Sequence, residues 1–145
     1  MPLLFPPERS PQCARTPQLA TADWWYTHRI PAQPWMISIV RDSLRLALQR
    51  HGRLDLADTA CLLVTELVTN GVVHTKSPVT VDLSCRSGVL RVDVHDTSPE
   101  VPALVSAGRD DESGRGLTLI DSCARSWGVR PAAQGSGKAV WFTLH

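Results

Sequence analysis

Glu66 and Asn70 stand four residues apart in the apolar segment LLVTELVTNGVVHT. Four residues on an α-helix return to the same face, so a carboxylate and a carboxamide aim at a common point, with His74 one turn further along. Burying a carboxylate is costly unless a cation or a proton donor meets it. A magnesium ion with a phosphate chain supplies that compensation. Mg²⁺ takes oxygen ligands, few of them from protein, and the carbonyl oxygen of Asn70 suits it. Glu66 can accept a proton from an attacking water or hydroxyl. The same spacing also fits an amphipathic helix whose polar stripe faces water, and a capping role fits His74 equally well. The segment alone does not separate these readings.

Two further segments have chemical potential. Asp96 ends the run VDVHD, just before Thr97-Ser98-Pro99. A carboxylate there can accept a hydrogen bond from an exocyclic amine such as that of adenine and reject a keto group. It can equally be a turn-initiating aspartate. In Ser113-Gly114-Arg115-Gly116-Leu117, glycines let the backbone approach an anion, a helix N-terminus presents unpaired N–H groups, and Arg115 adds a fork suited to phosphate. A flexible lead into a helix is the plainer reading. The Gly-Lys-Ser/Thr of a P-loop is absent, and no strand precedes as a dinucleotide fingerprint requires.

The elements that must position these groups follow from periodicity and punctuation. Residues 1–20 are rich in proline, which favours an extended or disordered tail, and a domain is expected over 21–145. Trp24 to Ile30 reads as an edge strand ended by Pro31. Pro34 opens a first helix, with apolar positions at Trp35, Ile39, Leu44, Leu46 and Leu48, stopped by His51-Gly52. Asp55 is the expected N-cap of a second helix running to about His74. Residues 79–85 and 89–96 alternate apolar and polar positions and form a hairpin around Arg86-Ser87-Gly88. A long loop from Thr97 to Gly114 has the character of a binding lid. A third helix starts at Arg115 or Gly116, followed by strands at 126–129 and 139–144. Runs of helices and hairpins, without strict alternation, imply an α+β class with a mixed sheet covered on one face.

Composition bounds the rest. A chain of 145 residues suffices for one core, and a net charge of +1 offers no bulk attraction to nucleic acid or acidic membranes. No uninterrupted apolar run spans a bilayer and no secretory leader is evident, so a cytoplasmic protein is expected. Cys61, Cys85 and Cys123 read as small core residues, and no Cys-x-x-Cys motif is present. Trp24, Trp25, Trp127 and Trp141 read as core or interface residues.

Taken in order, the three segments resemble the Bergerat ATP-binding fold of the gyrase, Hsp90, histidine kinase and MutL superfamily. Glu66 to His74 resembles its N box, Asp96-Thr97-Ser98-Pro99 its G1 box, and Gly114-Arg115-Gly116-Leu117 its G2 box. Gly137-Lys138-Ala139-Val140-Trp141 resembles the last glycine-to-strand element. The likeness covers roughly residues 22–145 and is greatest to single-domain proteins similar to anti-sigma factor serine kinases. It implies a two-layer α+β sandwich, a mixed β-sheet covered on one face by three helices. It implies ATP and Mg²⁺ as cofactors, Glu66 as catalytic base, Asn70 on the metal, and Asp96 on the adenine amine with Ser98 beside it. Gly114, Arg115, Gly116 and Leu117 would complete the cofactor-binding set, the glycines closing over the phosphates. It also implies partners: an antagonist protein phosphorylated on serine, a sigma factor bound directly, and a homodimer. Two segments depart from that group. Ser98 and Glu100 stand where glycines are usual, and Glu112 stands where an arginine reaches the γ-phosphate. ATP binding is therefore the first expectation and phosphoryl transfer the second, with a nucleotide-responsive binding module without catalysis as the alternative.

Overall fold

A computed structural model describes residues 22–98, 112–132 and 135–145, without the side chains of 112–115. The expected tail and most of the expected lid lie outside the described residues. Among the described residues, five strands and three α-helices follow in the order β1 (Trp24–Ile30), α1 (Met36–Arg50), α2 (Ala57–Thr75), β2 (Val79–Arg86), β3 (Val89–Asp96), α3 (Glu112–Cys123), β4 (Ser126–Pro131) and β5 (Lys138–Leu144).

Alternation along the strands decides which face is covered. Val79, Val81, Leu83 and Cys85 of β2, Leu90, Val92 and Val94 of β3, and Val140, Phe142 and Leu144 of β5 all point to one side. There they meet Val40, Leu44 and Leu48 of α1, Leu63, Val64, Leu67 and Val68 of α2, and Leu117 and Ile120 of α3 in one hydrophobic core. Each fully buried Leu or Phe contributes about 2 kcal/mol relative to leaving it in water. The α+β two-layer fold expected from the sequence is thus the one observed.

The sheet order is β1-β2-β3-β5-β4. Every neighbouring pair is antiparallel, which corrects the expected mixed sheet. The β3-α3-β4 segment does form a crossover that brings β4 parallel to β3. The following hairpin then inserts β5 between them, so the two parallel strands never touch. The β2–β3 turn at Ser87 and Gly88 has φ of 50° and 79°, the pair of positive values that a tight two-residue hairpin requires.

Local chemistry revises four expectations. The buried stripe of α1 is Val40, Leu44, Ala47 and Leu48, while Trp35, Ile39 and Leu46 are exposed, because the sheet lies on the other side of the helix. Asp55 does not cap α2. It sits in a single 3-10 turn, Leu54–Leu56, where its carboxylate takes the Arg53 guanidinium at 3.0 and 3.1 Å. The third helix begins at Glu112, ahead of the expected start. Cys61 and Cys85 are buried, and burial pushes both thiols up, but Cys123 is exposed. The stretch Leu54–Thr75 is long and apolar enough to cross a membrane by length and composition, yet more than half of it is buried within the fold.

Candidate functional site

The site is built where α2 runs between α3 and the ends of β3 and β5. Along α2, the threonines direct their hydroxyls to the helix itself: Thr65 donates to the Cys61 carbonyl (2.7 Å) and Thr69 to that of Thr65 (2.6 Å). Glu66 and Asn70 differ. Both are half-buried, and neither makes a hydrogen bond among those described. A half-buried carboxylate and carboxamide without protein partners must be met by water or a ligand.

Both side chains face α3. A β-carbon on Gly116 would lie 3.3 Å from Asn70 Nδ2, 3.3 Å from Glu66 Oε2 and 3.4 Å from Glu66 Cβ. The missing methyl lets the backbone of α3 rest directly on the two polar groups. Gly116 thus lies beside both Glu66 and Asn70. Gly114 and Arg115 lie in the same first part of α3, and their side chains are outside the described residues. Leu117 is fully buried in the core, so it seats the helix. His74 is exposed to solvent.

The Asp96 end of the site is reached through a second glycine. A β-carbon on Gly71, the residue after Asn70, would sit 3.2 Å from Val79 Cγ2 and 3.8 Å from Asp96 Cβ. Gly137 closes the other side, with φ at +132° and a notional β-carbon 2.5 Å from the Asp96 carbonyl oxygen. The Asp96 carboxylate is nearly buried. Its Oδ1 accepts the Ser98 backbone N–H at 2.8 Å and the Lys138 ammonium at 3.0 Å. Lys138 Nζ also reaches the Ser98 carbonyl at 3.4 Å.

Sequence reasoning named Lys138 within its glycine-to-strand element but gave it no role. A signal was present: β3 ends in Asp96, β5 begins at Lys138, and antiparallel pairing of their ends sets the two opposite each other.

The sheet face away from the three helices, open among the described residues, carries a separate polar group. Asp93 takes Arg91 through both oxygens (2.7 and 3.0 Å) and Arg130 at 3.1 Å. Burial pushes the Asp93 carboxyl up, but the two guanidinium groups outweigh it and hold it below the usual carboxylate range. Arg91 also lies 4.3 Å over the Trp141 ring, which itself rests on Gly128. Trp141 is therefore a residue of the open face, and Trp25 is 73% exposed, so neither fills the core.

The donor set suits a magnesium-bound nucleotide. Among the described residues, no three His, Cys, Asp or Glu side chains form a cluster able to hold a metal ion. A hard cation here would draw on Asn70, phosphate and water, which is the habit of Mg²⁺.

Comparison with known proteins bears on the family of the fold. The sequence profile of the histidine kinase-like ATPase domain matches residues 30–144. An uncharacterized protein of Streptomyces coelicolor is 44% identical over 82 residues, which span 53% of this chain and 76% of that relative.

Proposed function

Because the chain belongs to the histidine kinase-like ATPase domain family, we propose that it is an ATP-binding regulatory protein whose nucleotide site is lined by Glu66, Asn70, Asp96, Ser98 and the first turns of α3. The observation that supports this most is the meeting of Gly116 with Glu66 and Asn70, two half-buried α2 residues without hydrogen-bond partners among those described. Asn70 would hold Mg²⁺ through its carbonyl oxygen, and Asp96 would accept the adenine amine. When bound, the metal neutralises phosphate charge. Gly114, Arg115 and Gly116 would face the phosphates, where a helix N-terminus favours anions.

On this reading Glu66 acts as general base toward a serine hydroxyl of an antagonist protein, and the protein also binds a sigma factor in the cytoplasm, so that ATP state controls transcription. The β1 edge, unpaired among the described residues and with Trp25 and Tyr26 exposed, is a candidate homodimer or partner contact. A second reading, a nucleotide-responsive binding module without catalysis, draws on Glu112 standing where the kinases place an arginine. Titration calorimetry with ATP, with and without Mg²⁺, tests the shared claim, and absence of ATP binding sinks both readings. Transfer of labelled phosphate to an antagonist that is lost in Glu66→Ala supports the kinase. Tight ATP binding with no transfer supports the module.

A further inference from the structure

The Asp96–Lys138 pair lies at the floor of the proposed site with both side chains almost out of water, 7% and 11% exposed. An ion pair so placed gains little stability over apolar residues of similar volume. Among the described residues its hydrogen-bonding is also incomplete. The two partners of the carboxylate both use Oδ1, which leaves Oδ2 as an acceptor. The ammonium has three N–H groups, and two of them are directed to Asp96 Oδ1 and the Ser98 carbonyl. The pair therefore offers an acceptor beside a charged donor, and the two glycines Gly71 and Gly137 both approach Asp96, at its Cβ and its backbone carbonyl.

We infer that Lys138 is a second base-reading residue, donating a hydrogen bond from Nζ to the ring nitrogen N1 of a bound adenine while Asp96 Oδ2 accepts from its 6-amino group. The inference rests on the ATP-binding reading above and deepens it. Adenine presents a donor next to an acceptor on that edge. Guanine presents the reverse, a keto oxygen and an N1–H. With Asp96 alone, guanine in the same pose meets one mismatch. With the pair it meets two, because its keto oxygen faces the carboxylate and its N1–H faces the ammonium. Lys138 thereby converts a single contact into a two-point reading of the base.

The test is equilibrium binding of ATP, 1-deaza-ATP and GTP to the full chain in Mg²⁺, for the wild type and Lys138→Met. 1-Deaza-ATP keeps the amine and replaces N1 by a C–H. We expect it to bind the wild type at least tenfold more weakly than ATP, and GTP to bind at least a hundredfold more weakly. Lys138→Met should bind ATP and 1-deaza-ATP within twofold of each other. Equal affinity of the wild type for ATP and 1-deaza-ATP overturns the role of Lys138 and leaves the nucleotide site standing. No measurable binding of ATP to the wild type overturns the site itself, and Lys138 with it. If Lys138→Met loses its circular dichroism spectrum, the wild-type comparison decides alone.

Discussion

Gly137 meets Asp96 backbone to backbone. A β-carbon at position 137 would lie 2.5 Å from the Asp96 carbonyl oxygen, and the φ of +132° is one that side-chain-bearing residues rarely adopt. Strain and clash act together at this point. Gly137→Ala should lower folding stability by about 2–4 kcal/mol in urea unfolding. A loss under about 0.5 kcal/mol would mean that the ends of β3 and β5 part easily.

At Gly116 stability and binding should separate. Alanine is favoured over glycine inside a helix by up to about 1 kcal/mol. The added methyl, however, would crowd Asn70 Nδ2 and Glu66 Oε2 at 3.3 Å each. Gly116→Ala should therefore melt at or above the wild-type temperature while binding MgATP several-fold more weakly. Unchanged affinity, measured by calorimetry, would remove this cradle from the nucleotide site.

Asn70→Ala tests the metal assignment. Asn70 makes no hydrogen bond among those described, so its loss should leave the melting temperature within a few degrees of wild type. Affinity for ATP in Mg²⁺ should fall about tenfold or more, and affinity without Mg²⁺ should change much less. Equal losses in both conditions would show that the carboxamide does not serve the metal.

Acid should weaken the open face through Asp93. Burial raises its carboxyl and the bonds from Arg91 and Arg130 lower it further than that, so the folded pKa lies below the unfolded value of about 3.9. The unfolded chain then binds the proton first. The contribution is whole above that unfolded value and is lost as pH falls through the folded one. Wild type should outlast Asp93→Asn at neutral pH, and the gap in melting temperature should close as pH drops below about 4. A gap constant from pH 7 to pH 2.5 would contradict the assignment.

Much of the fold was legible because its causes are local. The strand Trp24–Ile30, the hairpin around Ser87-Gly88 and the long α2 all lie where alternation, glycine and proline put them. Errors arose where local signals compete with packing. Asp55 carries a capping residue's chemistry but is taken by Arg53. Trp35, Ile39 and Leu46 are apolar but lie on the side of α1 away from the sheet. The expected mixed sheet does not form, because β5 is inserted between β3 and β4, the two strands that run parallel.

By itself the sequence determined that Glu66 and Asn70 share one helix face, since a period of 3.6 residues needs no knowledge of distant chain. It also set the order of elements and the hairpin that carries Asp96 to a strand end. The tertiary structure alone decided what stands beside those groups. Gly116 rests on Glu66 and Asn70, and Lys138 pairs with Asp96, across separations of more than forty residues in each case. Such meetings depend on how β5 slots between β3 and β4 and how α3 settles against α2. These are consequences of packing a single core, and no local pattern encodes them.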